Sequence, residues 1–214
     1  MSGYRQEFDR TLEAIEAQVI ELFGIVAEGL PAATHALVTG GTETVQLLAE
    51  RERVVDALYL QAEDLAGRQI LQQAPVASDL RFLLSVLRIA PELERSHDLV
   101  MEIASRAGRI GSQGLTPAIR SLASQMGNLA CAMWSRTADS WYDRDRSALP
   151  AVTTQQERMT ELHTHLTAEL ATGQVPCPVT IDMTLIGRCY ERLGAHAVNI
   201  ARRVTYLAGR AGSC

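Results

Sequence analysis

The sequence predicts an all-α protein, two tandem, pseudo-symmetric three-helix bundles built from six long helices. Three observations predict it. Apolar residues recur at alternating steps of three and four along extended segments. Proline and glycine punctuate the chain between those segments. A short stretch near the C-terminus, Tyr190-Glu191-Arg192-Leu193-Gly194-Ala195-His196, has an earlier echo in Leu93-Glu94-Arg95-Ser96-His97-Asp98. Each copy falls in the third helical segment of its half, as a duplicated unit requires. No run with the alternation of a half-buried strand competes.

The first segment runs from about Tyr4 to Ala36. Leu12, Ile15, Val19, Leu22, Val26 and Leu30 form its apolar stripe, and Pro31 is expected to kink or end it. Gly40-Gly41 breaks the chain, with Thr42 as an N-cap for the second segment, which runs to about Gln73. Leu47, Val54, Leu58 and Leu65 are expected to share its buried face, with Glu52 and Asp56 turned away. Pro75 separates it from the third segment, Val76 to about Arg106, whose stripe is Val86, Ala90, Leu93, Val100 and Ala104. Pro91 predicts a bend there.

Gly108 to Gly114 reads as a linker, dividing the chain into domains at 1–109 and 114–214. The fourth segment runs from Pro117 to about Trp141, with proline suited to a first helical turn. The fifth runs from about Arg146 to Leu170, and Gly173 to Pro178 breaks the chain again. The sixth, Val179 to about Leu207, carries Ile186, Cys189, Leu193, Ala197, Ile200, Val204 and Leu207 on one stripe, with Glu191 almost opposite. Pro75 matches Pro178, Asp79 matches Asp182, and Glu94-Arg95 matches Glu191-Arg192. The spacing from Asp to Glu is longer in the first copy, so the repeat has diverged.

Composition narrows the function. A chain of 214 residues, 47% hydrophobic and 21% charged, can bury a globular core. A net charge of −5 argues against a general nucleic-acid binder. No window approaches about eighteen uncharged apolar residues, and no signal-peptide core follows the polar residues through Arg10. The expectation is a cytoplasmic protein with no direct membrane insertion. Cys131, Cys177, Cys189 and Cys214 form no CxxC pair, so reduced thiols are expected, with Cys189 filling the core.

Carboxylates are the candidate chemistry. Glu52/Asp56 and Glu94/Asp98 are pairs at i, i+4, which points both members of each pair along one helix face. Were the second and third helices antiparallel neighbours, the four would converge on a site for a hard or borderline cation such as Mg²⁺, Mn²⁺ or Fe. Solvated acidic faces carry the same spacing. The second half has Glu157/Glu161 at i, i+4, but Glu191 is followed four residues on by Ala195. His196 is expected to be a hydrogen-bonded structural residue rather than a ligand. His163 and His165 diverge on a helix. Arg188, Arg192, Arg202, Arg203 and Arg210 read as a solvated face or as an anion-binding one. No GxSxG, HExxH or Walker A sequence occurs.

Pro75-Val76-Ala77-Ser78-Asp79-Leu80-Arg81, followed by Leu93-Glu94-Arg95 and Asp98, resembles the signature of the PhoU family of phosphate-uptake regulators. Arg188 to Tyr206, RCYERLGAHAVNIARRVTY, is similar to that family's C-terminal signature, in which ERxGDHxxNIA is usual. Glu50 to Tyr59, ERERVVDALY, resembles the helix before the first motif. The resemblance implies an acidic metal cluster on each bundle: Glu52, Asp56, Glu94 and Asp98 on the first, and Glu157, Glu161 and Glu191 on the second, holding divalent or iron-type cations. Ala195 replaces the usual Asp, and His97 stands where Gly is usual.

The implied role is non-enzymatic: a negative regulator of phosphate signalling and uptake that docks a sensor histidine kinase and the ATPase of the phosphate ABC transporter, as a homodimer. A carboxylate-bridged metalloenzyme or metal store on a helical bundle is the alternative, with Glu94-x-x-His97 as its single ExxH element.

Overall fold

A computed structural model describes residues 2–41, 43–111 and 114–209. It contains six helices: α1 (Ser2–Thr39), α2 (Glu43–Gln73), α3 (Ala77–Ile110), α4 (Pro117–Asp143), α5 (Ala148–Leu170) and α6 (Cys177–Ala208). No strand occurs among the described residues. The expected N-cap Thr42, together with Ser112, Arg210 and Cys214, lies outside them.

The apolar stripe of α1 is buried as its spacing requires, from Ile15 through Leu30. The helix continues past Pro31 to Thr39 and stops at Gly40, whose φ of 81° suits a residue without a Cβ. In α2 the buried face differs from the expected one. Leu47 and Val54 are exposed, while Leu48, Val55, Ala62 and Ala66 are buried. Two adjacent apolar pairs, Leu47-Leu48 and Val54-Val55, offer two stripes one residue apart, and packing against α1 and α3 selects the second.

The expected stripe of α3 is buried throughout. The helix runs through Gly108 to Ile110, so the linker begins later than its glycine content suggests. Thr116 caps α4, accepting a hydrogen bond from the Ile119 amide at 3.3 Å, with Pro117 in the first turn. Gly173, at φ 73°, turns the chain between α5 and α6.

Helices α1, α2 and α3 pack on one another, and so do α4, α5 and α6. The two bundles meet along α1–α4 and α3–α6. Small residues set the first seam. A Cβ on Gly127 would lie 2.2 Å from Thr34 Cγ2, so only glycine permits this approach of α4 to α1. Thr34 Oγ1 donates to the Leu30 carbonyl and accepts from the buried Tyr190 hydroxyl at 2.9 Å, tying α1 to α6. One continuous apolar core runs through both bundles. Each fully buried Leu or Ile in it contributes about 1.5–3 kcal/mol.

The expectation that no segment has membrane-spanning character is corrected at α1. By length and composition, Arg5–Thr39 is long and apolar enough to cross a bilayer, but 56% of its most apolar window is buried inside the protein. Its apolar face is used in the core.

Candidate functional site

The packing of α2 on α3 brings the two acidic pairs of the first bundle within electrostatic reach of one another. Glu52, Asp56 and Asp98 are exposed, and Glu94 is half-buried. Burial raises the Glu94 carboxyl above its usual range, and the negative charges of Asp98 and Asp56 push it the same way, opposed by Arg95. Burial raises Asp98 too, joined by Glu52 and Asp56 and opposed by His97. Burial and neighbouring negative charge thus disfavour the ionised forms of both carboxyls. None of the four carboxylates forms an ion pair with an arginine among the described residues. Arg95 acts on Glu94 by charge without pairing with it, and Arg51 pairs with Glu28 on α1 at 2.7 Å.

His97 lies beneath this face. It is 1% exposed, and neither ring nitrogen has a hydrogen-bond partner. Burial lowers its pKa, opposed by the charges of Asp98, Glu52 and Asp56. A buried imidazole without partners beside carboxylates is a donor set open to a borderline cation. In the present side-chain geometry, no three His, Cys, Asp or Glu residues among those described converge closely enough to hold an ion.

The second bundle treats its carboxylates differently. Glu161 pairs with Arg158 at 2.6 Å. Glu191 is not turned fully away from the protein. Its side chain is 17% exposed and sits between Arg188 and His163, with His163 Nδ1 at 3.5 Å. Glu157 stays exposed. Gly194, at the position matching His97, leaves space that Gln156 fills, and Gln156 Nε2 donates to the Glu191 carbonyl at 3.2 Å. With Ala195 supplying no oxygen, these residues do not fit a cation site.

Sequence reasoning missed Arg51–Glu28, Gln156 and the His163–Glu191 contact, because each depends on which helices touch. It correctly placed His196 in a structural role, since its Nδ1 lies 2.9 Å from the buried Ser96 hydroxyl on α3. Cys131, Cys177 and Cys189 are free thiols, with burial pushing Cys131 up to about 11 and Cys189 up to about 12.

Fold and face together define a duplicated three-helix-bundle protein with an acidic surface on its first bundle. The PhoU domain profile matches residues 19–107 and 123–204, one stretch in each bundle, and the chain belongs to the PhoU family. The phosphate-specific transport system accessory protein PhoU homolog 1 of Mycobacterium leprae (strain TN) is 27% identical over 208 residues, spanning 95% of this chain and 93% of the relative. The Deinococcus radiodurans homolog is 28% identical over 208 residues, spanning 94% and 96%. The crystal structure of PhoU from Pseudomonas aeruginosa shares the fold at a TM-score of 0.87 and 24% identity, covering 94% of this chain and 98% of that one.

Proposed function

We propose that this protein is a non-enzymatic accessory protein of phosphate transport that negatively regulates phosphate signalling and uptake. The observation that carries the reading is the match of both bundles to the PhoU domain, supported by near full-length relatives whose names assign them to the phosphate-specific transport system. The regulator acts in the cytoplasm, as a homodimer, with 1–109 and 114–214 as its domains. It docks a sensor histidine kinase and the transporter ATPase, favouring one state of each by differential affinity. Deleting the gene and measuring phosphate-regulated transcription in high phosphate tests this. Derepression is expected, and unchanged repression in a strain without a paralogue would overturn it. Co-purification with the kinase and the ATPase tests the partners.

Glu52, Asp56, Glu94 and Asp98 would hold a divalent or iron-type cation on the first bundle, with long side chains rotating to close around it. The cation would supply positive charge to a surface that otherwise repels itself. Glu157, Glu161 and Glu191 would not hold one tightly, because Arg158 and Arg188 already pair with two of them.

A second reading, a carboxylate-bridged metalloenzyme or metal store, is favoured by one observation, the unpartnered buried ring of His97 beside Glu94 and Asp98. Metal analysis of native protein with an oxygen-consumption assay separates the two. Bound metal without turnover supports the regulator.

A further inference from the structure

We propose that the groove between α3 and α6 binds a small ligand through a phosphate-type oxyanion. The groove has a volume of about 420 Å³ and opens on the seam between the bundles. Pockets of this size accept small molecules. Arg88 rises from α3, and Arg202 and Arg203 rise from α6. Ile89 and Ile200 close the bottom, and Tyr206 stands at one edge with the Arg203 guanidinium 4.9 Å from its ring centre.

Charge distinguishes this groove from an ordinary solvated face. The chain as a whole carries −5. Here, however, three arginines line one concavity, and Arg95 and Arg192 act by charge on His196, which also faces the groove's Glu92. Neither Arg88 nor Arg202 reaches a carboxylate within ion-pair distance among the described residues. Glu92, the carboxylate lining the groove, is one turn from Arg88 but does not pair with it. Its oxygens turn toward Asn199 Nδ2 at 3.4 Å and His196 Nδ1 at 3.6 Å. Arg88 and Arg202 therefore line the groove with no ion-pair partner among the described residues, while Arg203 lies over the Tyr206 ring.

Guanidinium forks match the planar arrays of phosphate oxygens and bind them bidentately. Three of them around one concavity suit a multiply charged anion better than a single carboxylate. The half-exposed Tyr206 ring offers apolar surface for an attached organic body. The groove's lining shares no residue with the acidic face of the first bundle, so the proposal stands apart from the cation reading.

Calorimetry on the full chain, at constant ionic strength and with a chelator present, tests it using orthophosphate, pyrophosphate and a tetraglutamate peptide. Saturable pyrophosphate binding is expected, tighter than orthophosphate. R88Q/R202Q should weaken it by at least about tenfold, and R202Q alone by a smaller factor. R68Q, which removes an arginine paired with Asp64 elsewhere, should leave it unchanged. Absence of saturable binding by either phosphate would overturn the proposal. So would equal weakening in R68Q and R202Q, or tetraglutamate binding more tightly than pyrophosphate, which would make the groove a dock for an acidic protein segment. Circular dichroism checks the fold of each variant, and R202Q provides the reading should the double variant unfold.

Discussion

Ser96 on α3 and His196 on α6 meet across the seam between the bundles, Oγ to Nδ1 at 2.9 Å, both buried. The Ser96 hydroxyl donates to the Glu92 carbonyl at 2.6 Å, so His196 Nδ1–H donates to Ser96 and the ring is held in that tautomer. The contact couples the two signature motifs directly.

Ser96→Ala strands a buried imidazole N–H. A loss of about 1–3 kcal/mol in urea unfolding is expected.

Burial lowers the His196 pKa below its ordinary 6.5, opposed by the Glu92 charge and aided by Arg192 and Arg95. The unfolded chain therefore binds the proton more readily, and stability falls as pH drops through 6.5 toward the folded value. An NMR titration should place the His196 midpoint below 6.5, and His196→Gln should flatten the stability slope in that window.

Asp182 gathers two arginines of α3 onto α6, Arg106 Nη1 and Arg109 Nη2, each at 2.8 Å. Hydrogen bonding from Arg109, then from Arg106, lowers its pKa despite some burial. The stabilisation is present above the ordinary carboxylate value of 3.8 and is lost as pH falls through the lower folded value. Asp182→Asn should cost about 1–2 kcal/mol at neutral pH, and the gap to wild type should narrow in acid unfolding.

Gly127 and Gly194 both sit where a Cβ would collide, but with different neighbours. At Gly194 the obstacle is Gln156 Oε1 at 2.0 Å, the far end of a flexible side chain. At Gly127 it is the whole β-branched Thr34 side chain, whose Cβ lies at 2.9 Å. Gly127→Ala should therefore destabilise more, by about 2–3 kcal/mol, in thermal or urea unfolding. Adding Gln156→Ala to Gly194→Ala should recover most of the smaller loss, and a strictly additive pair would refute this account.

The raised carboxyls of Glu94 and Asp98 bind protons more readily in the folded chain, so burial of their charges, with added repulsion from neighbouring carboxylates, opposes folding at neutral pH. Without metal, Glu94→Gln with Asp98→Asn should raise the thermal midpoint. Mn²⁺ or Mg²⁺ should raise it for the wild type and leave the double variant unmoved, as scanning calorimetry can show.

The helices were legible because burial imposes a period, and the period survives in Ile15 to Leu30 and in Ile186 to Val204. The face of α2 was not. Leu47-Leu48 and Val54-Val55 satisfy two registers equally, and only contact with α1 and α3 chooses between them. At the candidate site, sequence found the carboxylates and the missing one at Ala195. It did not find that Arg51 pairs with Glu28 on α1 while Arg188 pairs with Glu191 on its own helix.

Local chemistry written along the chain specifies six helices, their duplication and the family, since periodicity, punctuation and short motifs are properties of neighbouring residues. Tertiary structure decides which carboxylates are paired, which glycines are obligatory and where arginines collect around one groove. Each of these depends on residues far apart in sequence being brought together in space: Ser96 with His196, Thr34 with Gly127, and Arg88 with Arg202.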